Sequence, residues 1–240
     1  MKTKQIAISI ISIFLFTTLV SCETQSVKNT SLPKTNSGST CVTVVDFENV
    51  DVGKIPKEWK IENTNLKGEL PTWKIVEDQT APSGKKILAL TDTKKTSGNS
   101  YNLCWTDNIS FTDGEVEVEL KAAKGKEDQG GGVIWRALNK NNYYIARFNP
   151  LEDNFRIYCV KDGKRKQIKS ADAKFPPGKW VKLKIIQRGN TFECYLNNKK
   201  FIEGTDDTFT KPGGVGLWTK ADAATSFDNF TVIPYKKSKK

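Results

Sequence analysis

The chain has 240 residues, with 38 Lys and Arg against 27 Asp and Glu, and a formal net charge of +11. It contains no histidine, which excludes Ser-His-Asp and Cys-His catalysis, His-ligated zinc and a histidine general base. Any chemistry falls to Asp, Glu, Lys, Tyr or Arg, or to a metal held by oxygen ligands.

In chain order, Lys2 and Lys4 precede an apolar run over 6–15 broken only by Ser9 and Ser12, followed by Leu19-Val20-Ser21-Cys22. A basic head, an apolar middle and a small residue at the cleavage point read as an export signal. The small residue directly before a cysteine, with an aliphatic residue three positions ahead of it, resembles the lipobox of bacterial lipoproteins. The resemblance implies a leader over 1–21, cleavage before Cys22, and lipid on that cysteine. The apolar run is short for a membrane span, whereas acyl chains bury enough methylenes to hold a domain at a bilayer. Beyond Cys22, residues up to 41 are mostly Ser, Thr, Asn, Lys and Pro, so 22–41 reads as the lipidated cysteine and a solvated tether. The expected place is the bacterial cell envelope, on its periplasmic or surface face.

Losing Lys2 and Lys4 with the leader lowers the charge from +11 to +9, part of it in the basic tail 236–240. Such a surface confers solubility and also suits anionic headgroups or acidic polysaccharide. Nucleic acid fits the charge but not the compartment, so none is expected as a partner.

From 42 to 235 the hydrophobic period is two. Val116, Val118 and Leu120 alternate with Glu115, Glu117 and Glu119, and Val181, Leu183 and Ile185 with Lys182 and Lys184. These are half-buried antiparallel strands. Similar runs fall at 42–48, 72–76, 86–91, 101–105, 132–137, 142–148, 214–219 and 225–232, separated by turn signals such as Asp113-Gly114, Asp162-Gly163 and Asn197-Asn198. No helical stripe is sustained. Many short strands with regular turns predict one all-β sandwich or barrel.

Cys41, Cys104, Cys159 and Cys194 remain besides Cys22. An even count in an exported domain permits two disulfides with three pairings. Alternation puts Cys159 beside Phe155 and Ile157, and Cys194 beside Phe192 and Leu196, so both point to the apolar side. They either pair or sit as buried thiols.

Several stretches, taken in order, resemble one family. They include Gly132-Val133-Ile134-Trp135-Arg136, Asn142-Tyr143-Tyr144-Ile145-Ala146-Arg147-Phe148-Asn149-Pro150, Asn154-Phe155-Arg156-Ile157-Tyr158, Gly214-Val215-Gly216-Leu217-Trp218-Thr219 and Phe227-Asp228-Asn229-Phe230. Over roughly 45–233 the chain resembles the concanavalin A-like lectin and glucanase jelly rolls, nearest to the bacterial 3-keto-disaccharide hydrolase domain family. The resemblance implies a two-sheet antiparallel jelly-roll sandwich with a concave face, which holds sugar in relatives that bind it. If Val133 and Trp135 face the core, Ile134 and Arg136 face the concave side, with Trp218. On 142–148 either Tyr143 and Arg147 or Tyr144 faces it.

Four candidate sets follow. Arg136, Tyr143, Tyr144, Arg147 and Trp218 would bind saccharide, rings stacking on sugar and guanidinium groups reaching hydroxyls or carboxylates. Asp206 and Asp207, with Asp222 nearby, would supply acid–base chemistry on a keto-sugar. Asp46, Glu48 and Asp228, near the two ends of the domain, would form an oxygen-rich cluster for a structural calcium ion. Glu115, Glu117 and Glu119 have the spacing of a glucanase acid pair, but lack the intervening Asp and read rather as a solvated strand face. The expected function is carbohydrate binding in the envelope. Hydrolysis or elimination at a 3-keto-glycoside, and a structural or adhesive role, are the alternatives.

Overall fold

The computed structural model describes residues 42–236. The leader, Cys22, the tether with Cys41, and most of the basic tail lie outside them.

Fifteen strands build the domain. They are β1 (Thr43–Val45), β2 (Lys60–Thr64), β3 (Thr72–Glu77), β4 (Lys86–Asp92), β5 (Tyr101–Phe111), β6 (Gly114–Lys124), β7 (Gly131–Asn139), β8 (Asn142–Asn149), β9 (Asn154–Lys161), β10 (Lys164–Asp172), β11 (Trp180–Arg188), β12 (Thr191–Leu196), β13 (Lys199–Thr205), β14 (Gly213–Lys220) and β15 (Ala224–Pro234). One sheet runs β13-β12-β11-β6-β15-β4-β3, with β1 pairing to β15, and the other runs β10-β9-β8-β7-β14-β5-β2. All pairings are antiparallel, so the all-β jelly-roll sandwich is the observed fold.

Alternation sorts side chains as expected. Val116, Val118 and Leu120 of β6 and Val181, Leu183 and Ile185 of β11 are buried between the sheets, and Glu115, Glu117 and Glu119 face outward. Lys182 of β11 meets Glu117 at 3.0 Å, and Tyr235 donates to Glu115. The three glutamates therefore form the solvated, ion-paired face of the eight-stranded sheet.

Cys104, Cys159 and Cys194 are buried free thiols in the inter-sheet core, so of the two alternatives for Cys159 and Cys194 the structure has the buried thiols. Burial pushes the Cys104 and Cys194 thiols well above their ordinary range. In native protein at about pH 8 neither should react with Ellman's reagent, and both should react on unfolding in urea; native labelling of either would contradict this placement.

Terminal strands β1 and β15 do lie side by side, but Asp46, Glu48 and Asp228 form no ion cage. Glu48 accepts the amides of Lys85 and Lys86 at 2.9 and 2.6 Å, and Asp228 accepts those of Ser83 and Asn229 at 3.0 and 2.7 Å. Asp46 accepts the Glu48 amide at 3.2 Å. Glu48 and Asp228 fasten the loop between β3 and β4 to the domain. Gly84, at φ 54°, is what admits Glu48, since a Cβ there would fall 2.3 Å from its carboxyl carbon. Among the described residues no three acidic or sulfur side chains group to hold a metal. The three carboxylates expected to share a calcium ion thus each serve as acceptors for backbone amides.

Candidate functional site

The face of the seven-stranded sheet turned away from the inter-sheet core carries a second apolar cluster. Tyr101, Leu103, Trp105, Ile134, Tyr143, Ile145, Tyr158, Val160 and Trp218 lie on it, all buried. Alternation places them: Val133, Trp135, Tyr144 and Leu217 point into the main core, so their neighbours Ile134, Tyr143 and Trp218 point the other way. Gly216 leaves room for Trp105, whose Cβ would lie 2.3 Å from a Cβ at that glycine.

What covers this face is the sheet itself. Tyr101 on β5 and Arg165 on β10 are five strands apart, about 24 Å if the sheet were flat. The Arg165 guanidinium nevertheless lies 5.2 Å from the Tyr101 ring and 4.4 Å from that of Tyr158. Thr64, at the end of β2, shares a hydrogen bond of 2.8 Å with the Tyr143 hydroxyl and donates to the Lys140 carbonyl. Asn65 donates to the carbonyl of Gly163 at 2.9 Å, in the β9–β10 turn. The sheet curls until its two edges meet, and its hollow fills with its own rings.

This corrects the expected saccharide-binding set. Tyr143, Arg147 and Trp218 do share the concave face, but each is at most 1 % exposed and offers no open surface. Tyr144 belongs to the core, stacked 5.3 Å from Trp135. Arg136 belongs to neither: the ladder shifts register after Trp135 and Arg136 takes φ 47°, so Ala137 rather than Arg136 occupies the concave side. Its guanidinium donates to the carbonyls of Thr112, Phe209 and Gly189 at 2.6–2.8 Å. Arg147 pairs with Asp128 at 2.7 Å and Glu152 at 3.1 Å.

Burial pushes the Glu152 carboxyl up, but hydrogen bonds from Arg147 and Asn154 and the charge of Arg156 outweigh it and hold the group at about 2. A carboxyl depressed on folding contributes stability that is complete above its unfolded value of 4.5 and is lost as pH falls toward 2. Glu152→Gln should therefore flatten the fall of the urea midpoint between pH 4.5 and 2; an unchanged slope would contradict the contacts.

Asp206 and Asp207 are not a facing acid–base pair. Burial raises the Asp206 carboxyl, but the Thr208 amide at 2.8 Å and the Tyr144 hydroxyl at 2.7 Å outweigh it and keep it below the usual carboxylate range. That is a structural tie, and a poor base. Asp207 is exposed and borders a cavity of about 580 Å³ with Lys161, Asp162, Lys164 and Lys166. Asp222 accepts the amides of Lys126, Glu127 and Asp128 and so holds the 125–130 loop.

Open space lies instead at the seam where the sheet's edges meet. A cavity of about 430 Å³ is lined by Asn65, Asn99, Tyr101, Asp162, Lys164 and Arg165. It adjoins a second of about 350 Å³, which shares Asn65 and Asn99 and adds Lys67 and Lys95. The 93–100 loop bordering both is anchored by a buried polar chain. Asn63 donates to Ser100 at 2.9 Å and to Asn102 at 2.7 Å, Asn102 to Thr219 at 3.1 Å, and Thr96 to the Ala221 carbonyl at 2.7 Å. The seam thus presents amides, ammonium groups and a half-buried guanidinium to solvent, over the buried ring of Tyr101. Lys164-Arg165-Lys166 beside the Asp162-Gly163 turn was the sequence signal for it.

Residues 46–233 match the model of the 3-keto-alpha-glucoside-1,2-lyase-like domain. Over 140 residues, 57 % of the chain, the sequence is 24 % identical to levanase of Bacillus subtilis (strain 168), and the match spans 20 % of that protein's length. Among solved structures, carbohydrate binding module CBM66 from Bacillus subtilis is similar with a TM-score of 0.56 and 21 % identity, over 72 % of this chain and 94 % of that one. A glycoside hydrolase family 16 endo-glucanase from Bacteroides ovatus is similar with a TM-score of 0.56 and 14 % identity, over 80 % and 99 %. At these identities the likeness is one of fold.

Proposed function

The chain belongs to the 3-keto-alpha-glucoside-1,2-lyase-like domain family, and from that premise we propose that it is a saccharide-binding domain tethered to the bacterial envelope by lipid on Cys22. The sugar lies in the seam between β2, the 93–100 loop and the β9–β10 turn. The observation that carries this reading is the convergence of Asn65, Asn99, Tyr101 and Arg165 on one open groove. Amides and a guanidinium group meet hydroxyls with directed hydrogen bonds. The family match and the likeness to a carbohydrate-binding module support the sugar as ligand class.

Glycan-array screening of the chain without its leader, followed by calorimetry, tests the reading. At least one saccharide class should bind, and Asn99→Ala, which removes an exposed side chain of the groove, should weaken it about tenfold. Silence across neutral and acidic glycans would end the proposal. The tether has its own test. Palmitate labelling in a bacterial host should mark the wild type and not Cys22→Ala; equal labelling would exclude Cys22 as the lipid site.

The family's lyase description favours a second reading, in which the bound sugar is a 3-keto-glycoside and the reaction is elimination. The 3-keto group acidifies the neighbouring C–H, and Asp162 is the carboxylate lining the groove that would take the proton. Release of aglycone from a 3-keto-glucoside, abolished by Asp162→Asn, would establish it. Binding without turnover would exclude it.

A further inference from the structure

Among the arginines of the described residues, the one that lines the groove has a charge no acceptor answers. Arg136 is met by three carbonyls, Arg147 and Arg156 by Glu152, and Arg188 by the Tyr235 hydroxyl at 3.2 Å. Arg165 differs. Its guanidinium is half-buried between Tyr158 and Tyr101, at 4.4 and 5.2 Å. One terminal nitrogen is out of contact with water and has no hydrogen-bond partner among the described residues. Ring faces attract the cation but cannot accept the directed bonds of a guanidinium fork. That nitrogen is closed to a ligand as well as to water, but the rest of the guanidinium makes no hydrogen bond to the described residues either, so an oxyanion entering the groove would meet a charge no acceptor answers.

The surroundings have the same sign. Lys67, Lys95 and Lys164 line the two joined cavities with Arg165, against the single carboxylate Asp162. We infer that the groove selects saccharides bearing an oxyanion, a uronate carboxylate or a sulfate ester, seated on Arg165 with the lysines around it. The inference rests on the groove being the sugar site. Neutral sugars would hydrogen-bond the exposed Asn99 side chain but leave the guanidinium charge unanswered, so discrimination follows from the anion alone. The tyrosines that hold the guanidinium in place also keep it from swinging out to solvent, which preorganises the site.

Calorimetry on the intact chain in detergent, with four probes, separates the outcomes. The probes are trigalacturonate, its carboxyl-reduced form, a sulfated carrageenan tetrasaccharide and its desulfated form. At least one acidic probe should bind about tenfold or more tighter than its neutral counterpart, and that advantage should shrink as salt rises. Which acidic probe binds distinguishes carboxylate from sulfate. Arg165→Gln should abolish the advantage. Lys95→Gln, at an exposed position that does not endanger folding, should reduce it severalfold. Equal binding of an acidic probe and its neutral form would overturn the inference and leave the sugar reading standing. An acidic preference untouched by both substitutions would overturn the location. Silence toward all four probes would overturn the inference, and silence across the wider glycan array would remove the sugar reading beneath it.

Discussion

Asp128→Ala is expected to destabilise the domain by about 3–5 kcal/mol, the usual cost of removing one partner from a buried ion pair. Asp128 and Arg147 have side chains only 1 % and 2 % exposed and meet at 2.7 Å. Asp128 also accepts the Gly130 amide at 2.8 Å, so its loss strands a backbone donor as well as a guanidinium. Glu152, at 3.1 Å and 38 % exposed, is too solvated to take over the whole charge. Thermal unfolding should shift down by about 6–20 °C, given a few degrees per kcal/mol for a domain of this size. The double variant Asp128→Leu with Arg147→Met should recover at least about half the loss, because matched apolar groups avoid the desolvation that an orphaned charge suffers. A single variant within about 1 kcal/mol of wild type would show that water reaches the pair.

Arg136→Leu carries a comparable penalty through a different route, about 3–5 kcal/mol, from several acceptors losing a charged donor at once. The guanidinium joins the β5–β6 turn at Thr112, the β11–β12 turn at Gly189 and the approach to β14 at Phe209. Three connections at one end of the sandwich depend on it. Arg136→Lys should recover only part of the loss, since one ammonium cannot span three carbonyls fixed to suit a planar fork. Equilibrium urea unfolding of the three proteins would show this order; equal stability of the lysine and arginine forms would contradict the account of a shared fork.

Strands with one face against the core were legible because burial imposes the period-two pattern. β2, β10 and β13 were not, and each lies at a sheet edge. In β10, Lys164-Arg165-Lys166-Gln167 leads a strand with no fully buried side chain, so no apolar alternation marks it. Charged edges of this kind also discourage pairing with other chains. The candidate site was less legible, for two reasons. Alternation predicts a side chain's face only while the ladder stays regular, and the shift after Trp135 rotates Arg136 off the concave side. Alternation also says nothing about curl. That Tyr101 meets Arg165 across five strands depends on cumulative twist, which no local window of sequence contains. Trp218 was placed on the correct face and Tyr143 was one of two alternatives for it, and both are packing residues because the sheet closes over them.

The central claim, that saccharide sits in the seam, is tested most directly by titrating glycan into ¹⁵N-labelled protein and following the backbone amides. The account predicts that the shifts concentrate at Asn65, Asn99, Tyr101, Gly163 and Arg165. Shifts confined to the outer face of the eight-stranded sheet, around Glu117 and Lys182, would contradict it.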